Sequence, residues 1–139
     1  MSCRTGERQV TASKSVPAAV SSYFDALNGE DWDGFRTIWA ENPSVLAAGA
    51  RPRHGVDEVL NLYKKIFKHW SQHLDVPGRT FIDDDTVTVE VHFVGTTDEG
   101  REVEFDAVDV IDLEAGRIKR ITTWYDTARV SALITGAAG

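Results

Sequence analysis

The run Phe105-Asp106-Ala107-Val108-Asp109-Val110-Ile111-Asp112, followed by Gly116-Arg117-Ile118 and closing on Thr123-Trp124-Tyr125-Asp126, sets the reading of this chain. It places acids among strand-forming residues, where acids are depleted. Side chains on a strand alternate between two faces. One face carries Phe105, Ala107, Asp109 and Ile111; the other carries Glu104, Asp106, Val108, Val110 and Asp112. The first is apolar except for a single carboxyl. Such a carboxyl is expected to have a raised pKa and to be able to hand over a proton. Asp109 is therefore the first candidate for chemistry. The choice between Asp109 and Asp106 rests on strand register, because a slip of one residue exchanges the faces.

Upstream, Val87, Val89, Val91 and Phe93 alternate with Thr88, Glu90, His92 and Val94, which predicts a preceding strand. Gly95 to Gly100 predicts a polar hairpin turn, Arg101 to Leu113 the next strand, Glu114-Ala115-Gly116 another turn, and Arg117 to Tyr125 the last strand. The N-terminal half has helical spacing instead. Ser15 and Pro17 suit a helix start, Val20, Tyr23, Phe24 and Leu27 recur on one face, and Asn28-Gly29 suits a stop. A short second helix is predicted to hold Trp32, Phe35, Ile38 and Trp39 and to end before Asn42-Pro43, with a loop from Ala47 to Gly55. Val56, Val59, Leu60, Tyr63, Ile66, Phe67 and Trp70 form the apolar stripe of a third helix. Helices first and an antiparallel meander after them define an α+β domain, a curved antiparallel sheet wrapped around three N-terminal helices. The concave face of such a sheet encloses a pocket at its open end. The expected boundaries are a flexible leader at 1–14, a single domain at 15–127 and a small, apolar tail at 128–139.

Composition narrows the classes of function. A net charge of −7 without a basic stripe argues against nucleic-acid binding. A hydrophobic content of 42% argues for a folded chain over a disordered one. Cys3 is the lone cysteine, which excludes an intramolecular disulfide and a multi-cysteine metal site. No apolar run approaches a membrane span, and none follows the N-terminal basic residues as in a signal peptide. The expectation is a cytoplasmic protein without a membrane partner.

The order of elements and several short motifs resemble the nuclear-transport-factor-2-like superfamily. Within it, the resemblance is to the branch of SnoaL-type polyketide cyclases, ketosteroid isomerases and limonene-epoxide hydrolases. It spans residues 16–127. Its carriers are Tyr23-Phe24-Asp25-Ala26-Leu27-Asn28 with Asp31 following, His54-Gly55 ahead of the helix bearing Leu62-Tyr63, and Val108-Asp109-Val110 ahead of Gly116-Arg117-Ile118. The resemblance implies a cone-shaped, cystatin-like sheet and a homodimer. It implies that Asp109 is the buried acid that ketosteroid isomerases hold neutral as a donor to an oxyanion. It further implies that Tyr23 shares that oxyanion hole, with Tyr63 hydrogen-bonded behind it. Three positions depart from the pattern. The isomerase general base falls at Ala47, the hydrolase's water-activating Asp falls at Thr123, and a third isomerase tyrosine falls at Trp39. Neither mechanism carries over intact, and what remains is an acid and donors with the base missing or relocated.

The candidate catalytic residues are Asp109 and Tyr23. The candidate substrate contacts are Tyr63, Trp39, Phe67, Phe93, Phe105, Ile121, Thr123 and Tyr125, a lining suited to an apolar polyketide- or steroid-like molecule. The expected function is a small cofactor-independent enzyme that performs cyclisation, isomerisation or epoxide opening by acid/base chemistry. The same residues also admit a structural reading: Asp109 as a carboxyl paired with Arg or Tyr, Tyr23 as plain core, and the domain as a non-catalytic hydrophobic ligand binder or dimerisation module. His69 and His73 are four apart at the end of the third helix but lack a third ligand, so no metal is expected. His92 becomes a replacement base only if the register shifts by one residue. Asp83-Asp84-Asp85 lacks the spaced ligands and glycine of a calcium loop and reads as a turn.

Overall fold

Helix α1 (Ala18–Gly29) buries Val20, Tyr23, Phe24 and Leu27, the stripe its spacing predicts. It begins at Pro17, whose carbonyl accepts from the amides of Val20 and Ser21, and Glu30 closes it in the left-handed conformation. These elements belong to a computed structural model that describes residues 15–137; the expected leader at 1–14 lies outside the described residues. Helix α2 (Trp32–Thr37) is capped by the Asp31 carboxylate, which accepts from the Gly34 amide at 3.0 Å. It is shorter than its apolar pattern, because Trp39 opens strand β1 (Trp39–Ala47). Pro43 lies inside that strand. Asn42 is tolerated at φ 52 there because the pairing with the last strand shifts register between Trp39 and Ser44. Strand β2 (Arg53–His54) then pairs briefly with β1 inside the stretch read as a loop.

Helix α3 (Val56–Phe67) buries Val59, Leu60, Leu62, Tyr63 and Phe67. It stops before His69 and Trp70, so His69 and His73 share no helix and lack the one-turn spacing considered from the sequence. Strands β4 (Thr86–Thr97), β5 (Glu102–Glu114) and β6 (Arg117–Trp124) form the expected antiparallel meander. A strand not expected from the sequence, β3 (Trp70–Asp83), pairs antiparallel with β4 and starts at Trp70, which the apolar stripe assigns to the third helix. β1 returns parallel to β6, giving a six-stranded sheet in the order β2-β1-β6-β5-β4-β3. The expected α+β fold, a curved sheet against N-terminal helices, is the fold observed.

The segment read as a tail carries helix α4 (Thr127–Thr135). Asp126 caps it by accepting from the Arg129 amide at 3.0 Å, and Gly136 ends it at φ 81. The Arg101 side chain fastens its far end by donating to the Ile134 carbonyl at 3.0 Å. Among the described residues no helix is long and apolar enough to cross a membrane.

Register determines which residues line the concave face. Val45, Ile121, Ile111 and Val87 lie in one row across four strands, and all four are buried in the core at the closed end of the cone. The next row outward is Ala47, Thr123, Asp109 and Val89. Toward the mouth, Asp75, Phe93 and Phe105 form a further row. Aromatic rings fill the space between helices and sheet. Phe35, with no exposed surface, meets Tyr63 at 5.1 Å and Trp39 at 5.5 Å between ring centroids.

Gly95 lies where the rings of Trp70 and Phe93 cross β4. A Cβ there would stand 2.8 Å from each. Gly95→Ala is expected to destabilise the fold by roughly 1–3 kcal/mol through overpacking. A urea unfolding midpoint equal to that of the unmodified protein would contradict this close packing.

Candidate functional site

The concave wall, the inner faces of α1 and α3 and the inner side of α4 enclose a cavity of about 310 Å³. That is the lower end of the range for small-molecule sites, roughly 300–1,000 Å³. Asp109, Tyr23, Tyr63, Phe67, Phe93, Phe105, Thr123 and Tyr125 all line it. Two expected contacts do not. Trp39 is packed behind the wall against Tyr23 and Tyr63, each at 6.4 Å between ring centroids. Ile121 falls in the core row, one step deeper than Thr123 on the same strand face. Both are inward-facing apolar residues, and alternation alone cannot tell a cavity wall from the packed core beneath it.

The register puts Asp109 on the inner face and Asp106 on the outer one. Asp109 is 4% exposed. Its cross-strand neighbour Thr123 donates its hydroxyl to Asp109 Oδ1 at 2.6 Å. Burial lifts the Asp109 carboxyl to about 6, and the Thr123 hydrogen bond works against that rise by stabilising the carboxylate. Tyr23 donates to the Tyr63 hydroxyl at 3.2 Å, joining α1 to α3 over the cavity. Burial raises both phenols well above their ordinary value, so both remain protonated donors at physiological pH. Neither phenol is hydrogen-bonded to Asp109; the nearest fixed donor to that carboxyl is a threonine, not a tyrosine.

Sequence reasoning passed over Asp75. It lies on the inner face of β3, lines the cavity, and its carboxyl has no hydrogen-bond partner among the described residues. Burial, and then the nearby charge of Asp109, raises it to about 7. A signal was present in Trp70-Ser71-Gln72-His73-Leu74-Asp75-Val76, which alternates at period two but inside out. His73 and Asp75 face inward, while Leu74 and Val76 are 44% and 41% exposed on the outer face. Ala47 lies beside Thr123 on the cavity wall, so the position matched to the isomerase base faces the site with a methyl group. The other additions are apolar: Trp70, Leu62, Ile66, and from α4 Val130 and Ile134. Among the described residues no cluster of His, Cys, Asp or Glu could hold a metal ion.

His92 lies on the outer face, so it does not reach the cavity as a replacement base. Its two ring nitrogens contact Asp106 at 2.8 Å and Glu104 at 2.9 Å. Hydrogen bonds to Asp106 and then Glu104 raise its pKa.

The curved sheet over N-terminal helices has the fold of ketosteroid isomerase-like and cystatin-fold structures. The SnoaL-like domain profile matches residues 20–121, and the chain belongs to that family. No curated protein sequence matches it. Among solved structures it is similar to a Sinorhizobium meliloti protein assigned as a polyketide cyclase, at 26% identity and TM-score 0.69 over 78% of this chain and 95% of that one. It is similar in fold to an LEH-like epoxide hydrolase of M. tuberculosis, at 19% identity and TM-score 0.73 over 87% and 90% of the two chains. A Catenulispora acidiphila protein with a ketosteroid isomerase-like fold superposes with TM-score 0.78 at 14% identity, over 86% of this chain and 93% of that one.

Both carboxyls bind a proton more tightly in the folded chain than at their ordinary value of 3.8. From about pH 4 to pH 7 the folded state therefore carries more protons than the unfolded state, and stability falls as pH rises through that window. Asp75→Asn and Asp109→Asn are each expected to raise the unfolding free energy at pH 8 by on the order of 1–3 kcal/mol, with little change at pH 4. Urea denaturation at the two pH values measures this. Equal or lower stability of both variants at pH 8 would show that the carboxyls are not held against their ionised forms.

Proposed function

We propose that this SnoaL-like domain is a cofactor-independent enzyme that moves protons on a small apolar molecule, with enolisation of a carbonyl compound as its elementary step. Cyclisation and isomerisation of polyketide-like substrates both pass through that step. The observation that carries the reading is Asp109, a buried carboxyl with a pKa of about 6 on the wall of an otherwise apolar cavity. A group that titrates near the working pH is suited to both taking and giving a proton. The Tyr23 phenol, kept neutral by burial, supports the oxygen on which charge develops by turning its single O–H from Tyr63 to that oxygen, with the Tyr63 hydroxyl then donating to Tyr23. Tyr63 orients it through their hydrogen bond. Phe67, Phe93, Phe105 and Tyr125 supply the apolar surface that binds the substrate. The polyketide cyclase and epoxide hydrolase among the structural relatives are consistent with a site of this kind.

A second reading is a hydrophobic ligand-binding domain without catalysis. It is favoured by Ala47, which presents no base where the isomerases have one. The two readings part on turnover. The enzyme is expected to exchange the α-protons of a hydrophobic cyclic ketone such as α-tetralone into D2O, followed by proton NMR. Asp109→Asn should lower that rate by roughly 10²–10⁴-fold. Tyr23→Phe should lower it by roughly 10²-fold. Ketone that binds and is returned with no exchange above the buffer rate would support the binder instead.

The working form is proposed to be a homodimer built on the outer sheet face. Leu74, Val76 and Trp124 are 44%, 41% and 55% exposed there, an apolar surface rimmed by Glu90, His92 and Asp106. Light scattering at micromolar concentration should give twice the chain mass, and Trp124→Glu should return a monomer. An unmodified protein of single-chain mass would sink the dimer.

A further inference from the structure

Besides Asp109, the cavity is lined by a second carboxyl, Asp75 on β3. Strand β3 is the edge of the sheet, so every other amide and carbonyl along it has no strand to pair with. At Asp75 the Asn28 side chain, from the last turn of α1, stands in for that strand. Asn28 Nδ2 donates to the Asp75 carbonyl at 2.9 Å, and Asn28 Oδ1 accepts from the Asp75 amide at 2.8 Å. Two residues earlier on the same face, His73 meets Glu30 at 2.6 Å and stacks on Phe67 with ring centroids 4.0 Å apart. The strand segment that carries Asp75 is thus fastened to the end of α1 at two successive inward positions. Among the described residues, the carboxyl that this arrangement aims into the cavity has no donor, and no Lys, Arg or His lines the cavity.

We propose that Asp75 and Asp109 work as a pair that shares one proton, Asp75 as the general acid and Asp109 as the base, with Asn28 as the residue that positions Asp75. This rests on the acid/base reading of the site and assigns its roles. The division of labour follows from hydrogen bonding. Thr123 donates to Asp109 and stabilises its carboxylate, whereas nothing stabilises the charge on Asp75. With both carboxyls in one apolar cavity, the second ionisation is disfavoured by the first, so the pair keeps a proton in the range where both would otherwise lose it. The proton then resides on the carboxyl without the donor. The groups facing Asp75 are Asp109 on β5, Tyr23 on α1, Tyr63 on α3 and Tyr125 after β6. His73, held by Glu30, is on its own strand. β4 and α4 present only apolar side chains to the cavity. Among the described residues none of these forms a hydrogen bond or ion pair with the Asp75 carboxyl, whose pKa of about 7 agrees with this arrangement.

In the step itself, the Asp109 carboxylate takes a proton from the carbon beside the substrate carbonyl. The C–H electron pair becomes the C=C bond, the carbonyl π pair moves onto oxygen, and that oxygen takes the Asp75 proton. The products are an enol, a neutral Asp109 and an ionised Asp75. Return of a proton to the same carbon or to a conjugated one restores the pair, with no change of oxidation state. A site with two acids and no cation selects substrates that are neutral, and it rejects carboxylates and phosphates.

The test is the pH profile of α-proton exchange into α-tetralone. For the unmodified protein the rate should fall on the acidic side as Asp109 gains a proton and on the alkaline side as Asp75 loses one. Asp75→Asn should lower the maximal rate at least about 10²-fold and remove the alkaline limb. Asp75→Glu should keep that limb with part of the rate. Asn28→Ala should lower kcat more than it changes KM and displace the alkaline limb, which a merely structural loss would leave in place. An Asp75→Asn protein with the full rate and an intact alkaline limb, beside an inactive Asp109→Asn, would overturn the pair while leaving the acid/base reading standing. Full rate in both variants would overturn both. The pair has a second readout that needs no substrate, the carboxyl ¹³C shift of Asp75. Its midpoint should fall when Asp109 is replaced by Asn, and an unmoved midpoint would overturn the shared proton.

Discussion

The hydrogen bond from Thr123 to Asp109 joins two neighbouring strands at the point where the sheet changes from core to cavity wall. One row deeper, Val45, Ile121, Ile111 and Val87 close the cone with methyl groups. At the row of Ala47, Thr123 and Asp109 the side chains become small or polar and the cavity opens. A carboxyl in that row, 4% exposed, is costly to ionise, and a single hydroxyl limits that cost without removing it. The remainder of the structure preserves this condition. The Tyr23–Tyr63 pair and the rings of Phe35 and Trp39 close one side, and α4 closes the mouth with Val130 and Ile134. Register is constrained by the same condition, because a slip of one residue would turn Asp109 to the outside and Asp106 inward.

That condition shapes the chemistry available. Among the described residues the lining holds acids and phenols but no cation, a composition suited to proton transfer and not to holding an anion. The cavity wall carries the Asp109 carboxyl on β5 and the Ala47 methyl on β1. In the proposed mechanism the second proton-handling group is Asp75, carried by the edge strand β3. The bidentate hold of Asn28 on the Asp75 backbone gives an edge strand, otherwise a mobile part of a sheet, a fixed position over the cavity.

Much of this was legible in the sequence where one periodicity dominates. The apolar stripes of α1 and α3 and the alternation of β4 and β5 showed the layered fold and made Asp109 the first candidate, while its inward direction over that of Asp106 took the register of the structure to decide. The shortfalls have physical causes. Trp39 and Trp70 extend helical stripes in the sequence, yet each opens a strand, because its ring is needed on the sheet and large apolar residues suit either element. Asn42-Pro43 and Pro77-Gly78 look like breaks, but each lies where a strand pairs irregularly. The terminal helix has a faint pattern in a run of small residues, and Asp126 and Arg101 hold its two ends. Asp75 was missed because β3 presents apolar residues outward and polar ones inward.

The most direct test of this account is the titration of the Asp109 carboxyl in the unmodified protein, read from its ¹³C shift against pH. The account predicts a midpoint near 6, above the ordinary value of 3.8. A midpoint at or below that ordinary value would mean that Asp109 is a solvated or ion-paired structural carboxylate, and the acid/base reading of the cavity would fail.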